Sequence, residues 1–306
     1  MIRCHRLAKS FRRARVLDGL DLEIGLGERV ALIGSNGAGK TTLMRCLLGE
    51  YTHEGEVTID GRCPRRERTA VLARVGFVPQ LPPPLKMPVG QLVDFATALT
   101  GTPAARVHDL AERLGLDLAP IRTRPFVKLS GGMKQKLLIA IALGRDASVL
   151  IMDEPAANLD AAARRIFFEL LAEREARTTM LISSHRINEI SALVNRVVEL
   201  DMGQLVLDER IAGESGLAAH AAGRVVCRRS EPALARALEQ WNFRALDAEG
   251  IEWEGEVAGP DRLRFLGTLS RYVSVVSHVS LQERGAPAAQ SAAQSAALAL
   301  PAGLES

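Results

Sequence analysis

The chain of 306 residues has little cysteine, no dominant charge sign and no long apolar run. Each absence excludes something. The four cysteines, Cys4, Cys46, Cys63 and Cys227, form no Cys-x-x-Cys pair, so zinc and dithiol redox motifs lack support. Without paired spacings there is no disulfide framework, and a reducing cytosol is the expected home. His278 and Cys227 stand too far from other ligand types to argue for a metal. Thirty-nine Lys+Arg against 36 Asp+Glu leave a net charge of +3, with both signs mixed along the chain. A nucleic-acid binder carries a clustered basic footprint, so no nucleic-acid partner is expected. The longest uncharged stretch, Gly285 to Leu304, contains Pro287 and Pro301 and is built of Ala, Ser and Gln. Such residues gain little from lipid, so no membrane span is expected. The opening Met1-Ile2-Arg3-Cys4-His5-Arg6 does not read as a secretory leader. No internal repeat is present. With 47% apolar and 25% charged residues, the remainder is an ordinary globular composition.

What is present is a series of short buried-strand patterns separated by helical ones. Arg29-Val30-Ala31-Leu32-Ile33 is apolar without alternation and ends in Gly34, as do strands buried on both faces. Val149-Leu150-Ile151-Met152 and Met180-Leu181-Ile182 match it. Asp160 is a candidate N-cap, followed by the apolar stripe Ile166, Phe167, Leu170 and Leu171. Buried strands alternating with helices predict an α/β fold with a mostly parallel sheet. Between Pro82-Pro83-Pro84 and about residue 145 the periodicity is helical, with one helix around Gln91–Leu99 and another over Ala105–Leu114. This reads as a helical insertion over about 86–145. The character changes after residue 215. Strand-like 223–229, helix-like 231–241, a hairpin over 243–257, a helix over 260–270 and a strand over 272–279 give the order β-α-β-β-α-β. That order suits a small α+β, ferredoxin-like domain over 220–284. Residues 285–306 form a low-complexity, Ala-rich tail.

Gly34-Ser35-Asn36-Gly37-Ala38-Gly39-Lys40-Thr41-Thr42 fits G-x-x-x-x-G-K-[ST]. Glycines let the backbone wrap a phosphate, and successive amides make an anion nest. The following helix, expected over Thr41–Leu48, directs its N-terminal dipole at the same charge. Lys40 would reach the β- and γ-phosphates, and Thr41 would ligate Mg²⁺. Four apolar residues ending in Asp153-Glu154 place two carboxylates where ligands bind in open α/β sheets. Asp153 can hold the Mg²⁺ shell, and Glu154 is the candidate base for attacking water.

Leu129-Ser130-Gly131-Gly132-Met133-Lys134-Gln135 opens another helix, with Ser130 able to cap it. Together the three elements resemble the ATP-binding subunits of ABC transporters. The resemblance covers about residues 1–215. It implies a P-loop ATPase with a mostly parallel sheet core, an antiparallel β edge and the helical insertion. It also implies further roles. Gln80 resembles the Q-loop glutamine that touches Mg²⁺ and water. Asn158-Leu159-Asp160 resembles the D-loop, with Asp160 near nucleotide. His185 resembles the switch histidine at the γ-phosphate, and Phe11 the aromatic that stacks on adenine. Ser130, Gly131 and Gly132 resemble the signature that closes on a partner's ATP. Two departures stand out: Ala156-Ala157-Asn158 where Thr-Ser-Gly is common, and Arg186 after the histidine.

The resemblance implies ATP and Mg²⁺ as cofactors and a head-to-tail homodimer or a sister subunit. It also implies integral membrane subunits as partners, with the chain peripheral on the inner face of the cell membrane. The Val279-Ser280-Leu281 stretch resembles the tail domain of bacterial exporter-type subunits, which include drug exporters and the ATPase of nitrous oxide reductase maturation. The proline and the acidic-aromatic end of that motif are missing here. An importer ATPase is the alternative. A soluble family member acting on DNA or ribosomes fits less well. The chain has one phosphate loop, and the stretch from Lys40 to Ser130 is too short for long coiled coils.

Overall fold

The computed structural model describes residues 1–12, 14–174, 176–184, 190, 193–210, 220–258, 265, 268–269, 272 and 275–283. The chain divides into two compact units, Met1–Gly213 and Glu214–Ser306.

In the first unit, β1 (Ile2–Phe11), β2 (Ala14–Ile24) and β4 (Glu54–Ile59) form an antiparallel sheet in the order β2-β1-β4. The second sheet has six strands in the order β5-β6-β7-β3-β8-β9. These are β3 (Arg29–Ile33), β5 (Val75–Val78), β6 (Val149–Asp153), β7 (Thr179–Ser183), β8 (Arg196–Asp201) and β9 (Gln204–Arg210). Pairing is parallel except for β8 with β9. Every residue of β6 and β7 is buried, which explains their unbroken apolar pattern.

Helix α1 (Lys40–Leu47) shares one core with both sheets. Leu43, Met44 and Leu47 meet Ile2, Leu7 and Leu17 of the antiparallel sheet and Leu32, Ile151 and Leu200 of the other. Each such side chain contributes about 1.5–3 kcal/mol on burial. Helix α2 (Arg68–Leu72) leads into β5. The middle of the unit is helical: α3 (Val89–Thr100), α4 (Ala104–Arg113) and α5 (Gly131–Gly144). Gly101, in the left-handed region, ends α3. Helix α6 (Ala161–Ala172) is capped by Asp160, whose carboxylate accepts from the Ala163 N–H at 2.8 Å. Among the described residues no helix is long and apolar enough to cross a membrane.

At the edge formed by β8 and β9, the guanidinium of buried Arg196 grips Asp208 with two bonds of 2.6 Å and Glu28 with one of 2.7 Å. Burial alone would raise the Glu28 pKa. The Gly25 N–H and Arg196 more than offset this and hold it below the ordinary carboxylate value.

The second unit holds β10 (His220–Cys227), α7 (Pro232–Gln240), β11 (Arg244–Ala245), β12 (Glu252–Ala258) and β13 (Val276–Glu283). Its sheet is antiparallel with the order β11-β12-β10-β13. Gly223 of β10 and Gly255 of β12 are register partners beneath the Phe243 ring. That ring stacks on Phe265, with centroids 4.6 Å apart. The last strand begins four residues later than the pattern at Tyr272 suggests. The Val275 and Val276 amides both donate to the Tyr272 carbonyl, a turn that delays the extended chain. Most of the helix expected over 260–270, and the tail from 285, lie outside the described residues.

Candidate functional site

The loop between β3 and α1 has the build expected of a phosphate cradle. Gly34 has φ +144°, and a Cβ there would stand 2.2 Å from the Leu200 carbonyl. Gly39 caps α1 with φ +108°. Only glycine satisfies both positions. Around Gly37, by contrast, no atom would lie within 4 Å of an added Cβ, so the loop opens there. Ser35, Asn36 and Ala38 complete the turn, with the Ala38 N–H on the Ser35 carbonyl at 3.2 Å. Thr42 lies in the first turn of α1.

Lys40 is buried, and its ammonium donates to the carbonyls of Gly34 at 2.7 Å and Ser35 at 3.0 Å. Burial lowers its pKa from the ordinary value, with the Glu154 and Asp153 charges opposing. A buried cation on neutral carbonyls is a seat for an anion. The loop and the strand end meet directly, since the Thr41 hydroxyl donates to Asp153 Oδ2 at 2.7 Å. This oxygen-rich pair fits a hard cation such as Mg²⁺. Among the described residues no group of three or more His, Cys, Asp or Glu is built to hold a metal.

Ser183, at the end of β7 and fully buried, donates from Oγ to Asp153 Oδ1 at 2.7 Å. The same Oγ accepts the Glu154 N–H at 2.8 Å. Glu154 has φ +49°, a left-handed conformation costing about 1–2 kcal/mol for a non-glycine residue. One hydroxyl thus anchors both carboxylate residues. Ser183 has no role in the sequence pattern, where it only precedes Ser184 and His185. Its signal was a polar residue closing an otherwise apolar strand.

The other candidate residues come from other elements. Gln80 lies exposed two residues beyond β5. Phe11 stands at the end of β1, 39% exposed, with its ring edge-on to Tyr51 at 5.1 Å. The Lys9 ammonium lies 4.7 Å from the Phe11 ring centre, and Tyr51 Oη accepts from Arg45 at 2.9 Å. Ser130 caps α5 by accepting the Met133 N–H at 3.3 Å, leaving Gly131 and Gly132 in the first turn. Among the described residues no hydrogen bond joins this helix start to the phosphate loop. Instead α5 contacts the segment after Glu154. His185 and Arg186 lie outside the described residues.

With this geometry established, comparison with known proteins places the chain. The ABC transporter family model matches residues 17–157. A Nod factor export ATP-binding protein I of Paraburkholderia xenovorans is 37% identical over 212 residues, 66% of this chain and 68% of the relative. The chain belongs to the ABC transporter ATP-binding family. It is an ATP-binding ATPase subunit. An aliphatic sulfonates import ATP-binding protein of Nocardia farcinica is also 37% identical, over 67% of this chain and 80% of its own length. The fold agrees as well. A dimeric ATP-binding cassette solved in a post-hydrolysis state with ADP and Pi aligns at a TM-score of 0.63 with 22% identity, covering 70% of this chain and 100% of that one. These ABC relatives include named exporters and named importers.

Proposed function

We propose that this ABC ATPase is the motor of an exporter, acting as a homodimer or with a sister subunit on separately encoded membrane subunits at the inner face of the cell membrane. The observation that carries the hydrolytic reading is the bonded run Thr41–Asp153–Ser183–Glu154 beside a buried Lys40. Lys40 neutralises phosphate oxygens, with its partner carbonyls holding it at the mouth of the loop. The α1 N-terminus supplies amides to the same charge. Thr41 and Asp153 would hold Mg²⁺, which would neutralise phosphate charge when bound. Glu154 accepts a proton from attacking water. Gln80 senses the cation and water, and His185 contacts the γ-phosphate. Phe11 offers its exposed face to adenine. Ser130, Gly131 and Gly132 close on the second subunit's nucleotide, with Asp160 at the same interface.

A shared site of this kind makes ATP affinity and dimer closure one equilibrium, which hydrolysis then reverses. The export direction is supported by the Val279-Ser280-Leu281 tail-domain resemblance and by the relative named for Nod factor export. The relative named for sulfonate import keeps the import reading as the alternative. The activity is tested by phosphate release. Lys40→Ala abolishes it, whereas Glu154→Gln retains ATP and dimerises. Hydrolysis by Glu154→Gln at the parental rate would remove the base assignment. Purification from native membranes then tests the partner. Recovery of a polytopic membrane protein supports the motor reading, and recovery of ribosomes or DNA overturns it.

A further inference from the structure

The segment from Glu154 to Asp160 is held against one flank of α5 by a hydrogen bond, an ion pair and a close backbone approach. Gln135, fully buried in the second turn of α5, donates its side-chain amide to the Pro155 carbonyl at 3.0 Å. Lys136 places its ammonium 2.9 Å from Asp160 Oδ2 with only 14% of its side chain exposed. At Gly132 the helix passes so close to the segment that an added Cβ would lie 3.1 Å from the Asn158 carbonyl. From the opposite side Ser183 holds the Glu154 N–H. The segment is therefore pinned between β7 and α5, with the Glu154 carboxylate at one end and Asp160 at the other.

The chemistry of Gln135 says that the fastening is more than packing. No donor among the described residues reaches its Oε1, so half of a buried amide's bonding capacity goes unused. Such a group is a cost that a leucine or methionine of similar volume would avoid. The one bond Gln135 makes is to the residue next to Glu154.

We propose that Gln135 and Lys136 are positioning residues that clamp the Glu154–Asp160 segment to the helix carrying Ser130, Gly131 and Gly132, coupling one subunit's hydrolytic carboxylate to the motif it presents to its partner. A shift of Glu154 then carries the α5 start with it, because the hydrogen bond and the ion pair tie both ends of the segment to that helix. In a head-to-tail dimer the α5 start serves the other ATP, so turnover at one site is felt at the second. The coupling rests on the dimer reading above.

The test uses the full chain and its ATP dependence of phosphate release. The parent is cooperative, with a Hill coefficient of about two. Gln135→Leu and Lys136→Met bring the coefficient to about one and lower kcat about tenfold, the rate equivalent of one hydrogen bond. Binding of a fluorescent ATP analogue to the dilute monomer changes less than about twofold, because neither residue touches the phosphate loop. Lys136→Arg restores cooperativity by restoring the ion pair, which a purely structural role would not require. Gln135→Met guards against a folding defect specific to leucine. A cooperative parent whose Q135L and K136M forms remain cooperative overturns the clamp alone. A non-cooperative parent whose E154Q form stays monomeric with ATP overturns the dimer reading and the coupling together.

Discussion

Replacing Ser183 by alanine removes one oxygen and two hydrogen bonds at the centre of the site. The Ser183 hydroxyl donates to a carboxylate oxygen at 2.7 Å and accepts the Glu154 N–H at 2.8 Å, with no solvent access. Water cannot readily replace it, since the site is closed on the β7 side and Asp153 is only 3% exposed. A hydrogen bond to a charged group contributes about 1.5–3 kcal/mol, and the neutral one about 1 kcal/mol more. Some of this loss is expressed as stability. At about 2–4 °C per kcal/mol for a unit of this size, Ser183→Ala lowers Tm by several degrees. The rest is expressed as rate. Glu154 keeps its left-handed backbone only while its surroundings enforce it. Without the hydroxyl, the carboxylate samples other directions, and a barrier increase of about 1.4–2.8 kcal/mol gives a kcat ten- to a hundredfold lower. Because Ser183 reaches the phosphate loop only through Asp153, KM for ATP rises by less than kcat falls. Ser183→Thr retains the hydroxyl and recovers most of the rate. The assay is steady-state phosphate release at saturating Mg-ATP, paired with a thermal melt of each variant. A Ser183→Ala enzyme with parental kcat, or one whose kcat loss is matched by an equal rise in KM, refutes the positioning argument.

Three further outcomes follow from the packing. At Gly255 an added Cβ meets Phe243 ring atoms at 2.5–2.9 Å, and the ring cannot retreat because it stacks on Phe265. Gly255→Ala therefore destabilises the second unit by about 1–3 kcal/mol. Both tryptophans, Trp241 and Trp253, lie in that unit, so an unshifted denaturation midpoint in intrinsic fluorescence contradicts the packing argument. The Glu28 carboxylate has a folded pKa below its ordinary 4.5, so its contribution is complete above that pH and is lost as pH falls through the lower folded value. Glu28→Gln is accordingly less stable than the parent near neutrality. The gap closes in acid melts below about pH 4.5, and a constant gap is inconsistent with the linkage. Burial pushes the Cys4 thiol up to about 12 and Cys46 up to about 11, and Cys227 is raised in the same direction. Only half-buried Cys63 reacts with a thiol reagent in the native chain at pH 7, and all four react in denaturant. Native labelling of more than one site opposes that burial pattern.

Local chemistry made much of the first unit legible. The run from Gly34 to Thr42, the Val149–Asp153 strand and the Asp160 cap are short-range patterns whose physics lies within a few neighbouring residues. The unbroken apolar strands pointed to a mostly parallel sheet, and the six-stranded sheet is parallel except where β8 pairs with β9. The second unit was less legible in its boundaries. A turn at Tyr272 delays β13, and that turn is invisible to a two-residue period.

Tertiary structure alone decided which side chains meet. Ser183 lies 30 residues from Asp153, and Gln135 lies 20 from Pro155. Neither pairing leaves a local pattern, because a hydrogen bond constrains two residue types and a distance, not the chain between them. The phosphate loop was readable because successive backbone amides build it, so its physics is written consecutively in the chain. The anchoring of Glu154 and its attachment to α5 arise only when β6, β7 and α5 pack. They depend on strand register and helix depth, which single-chain periodicity does not encode.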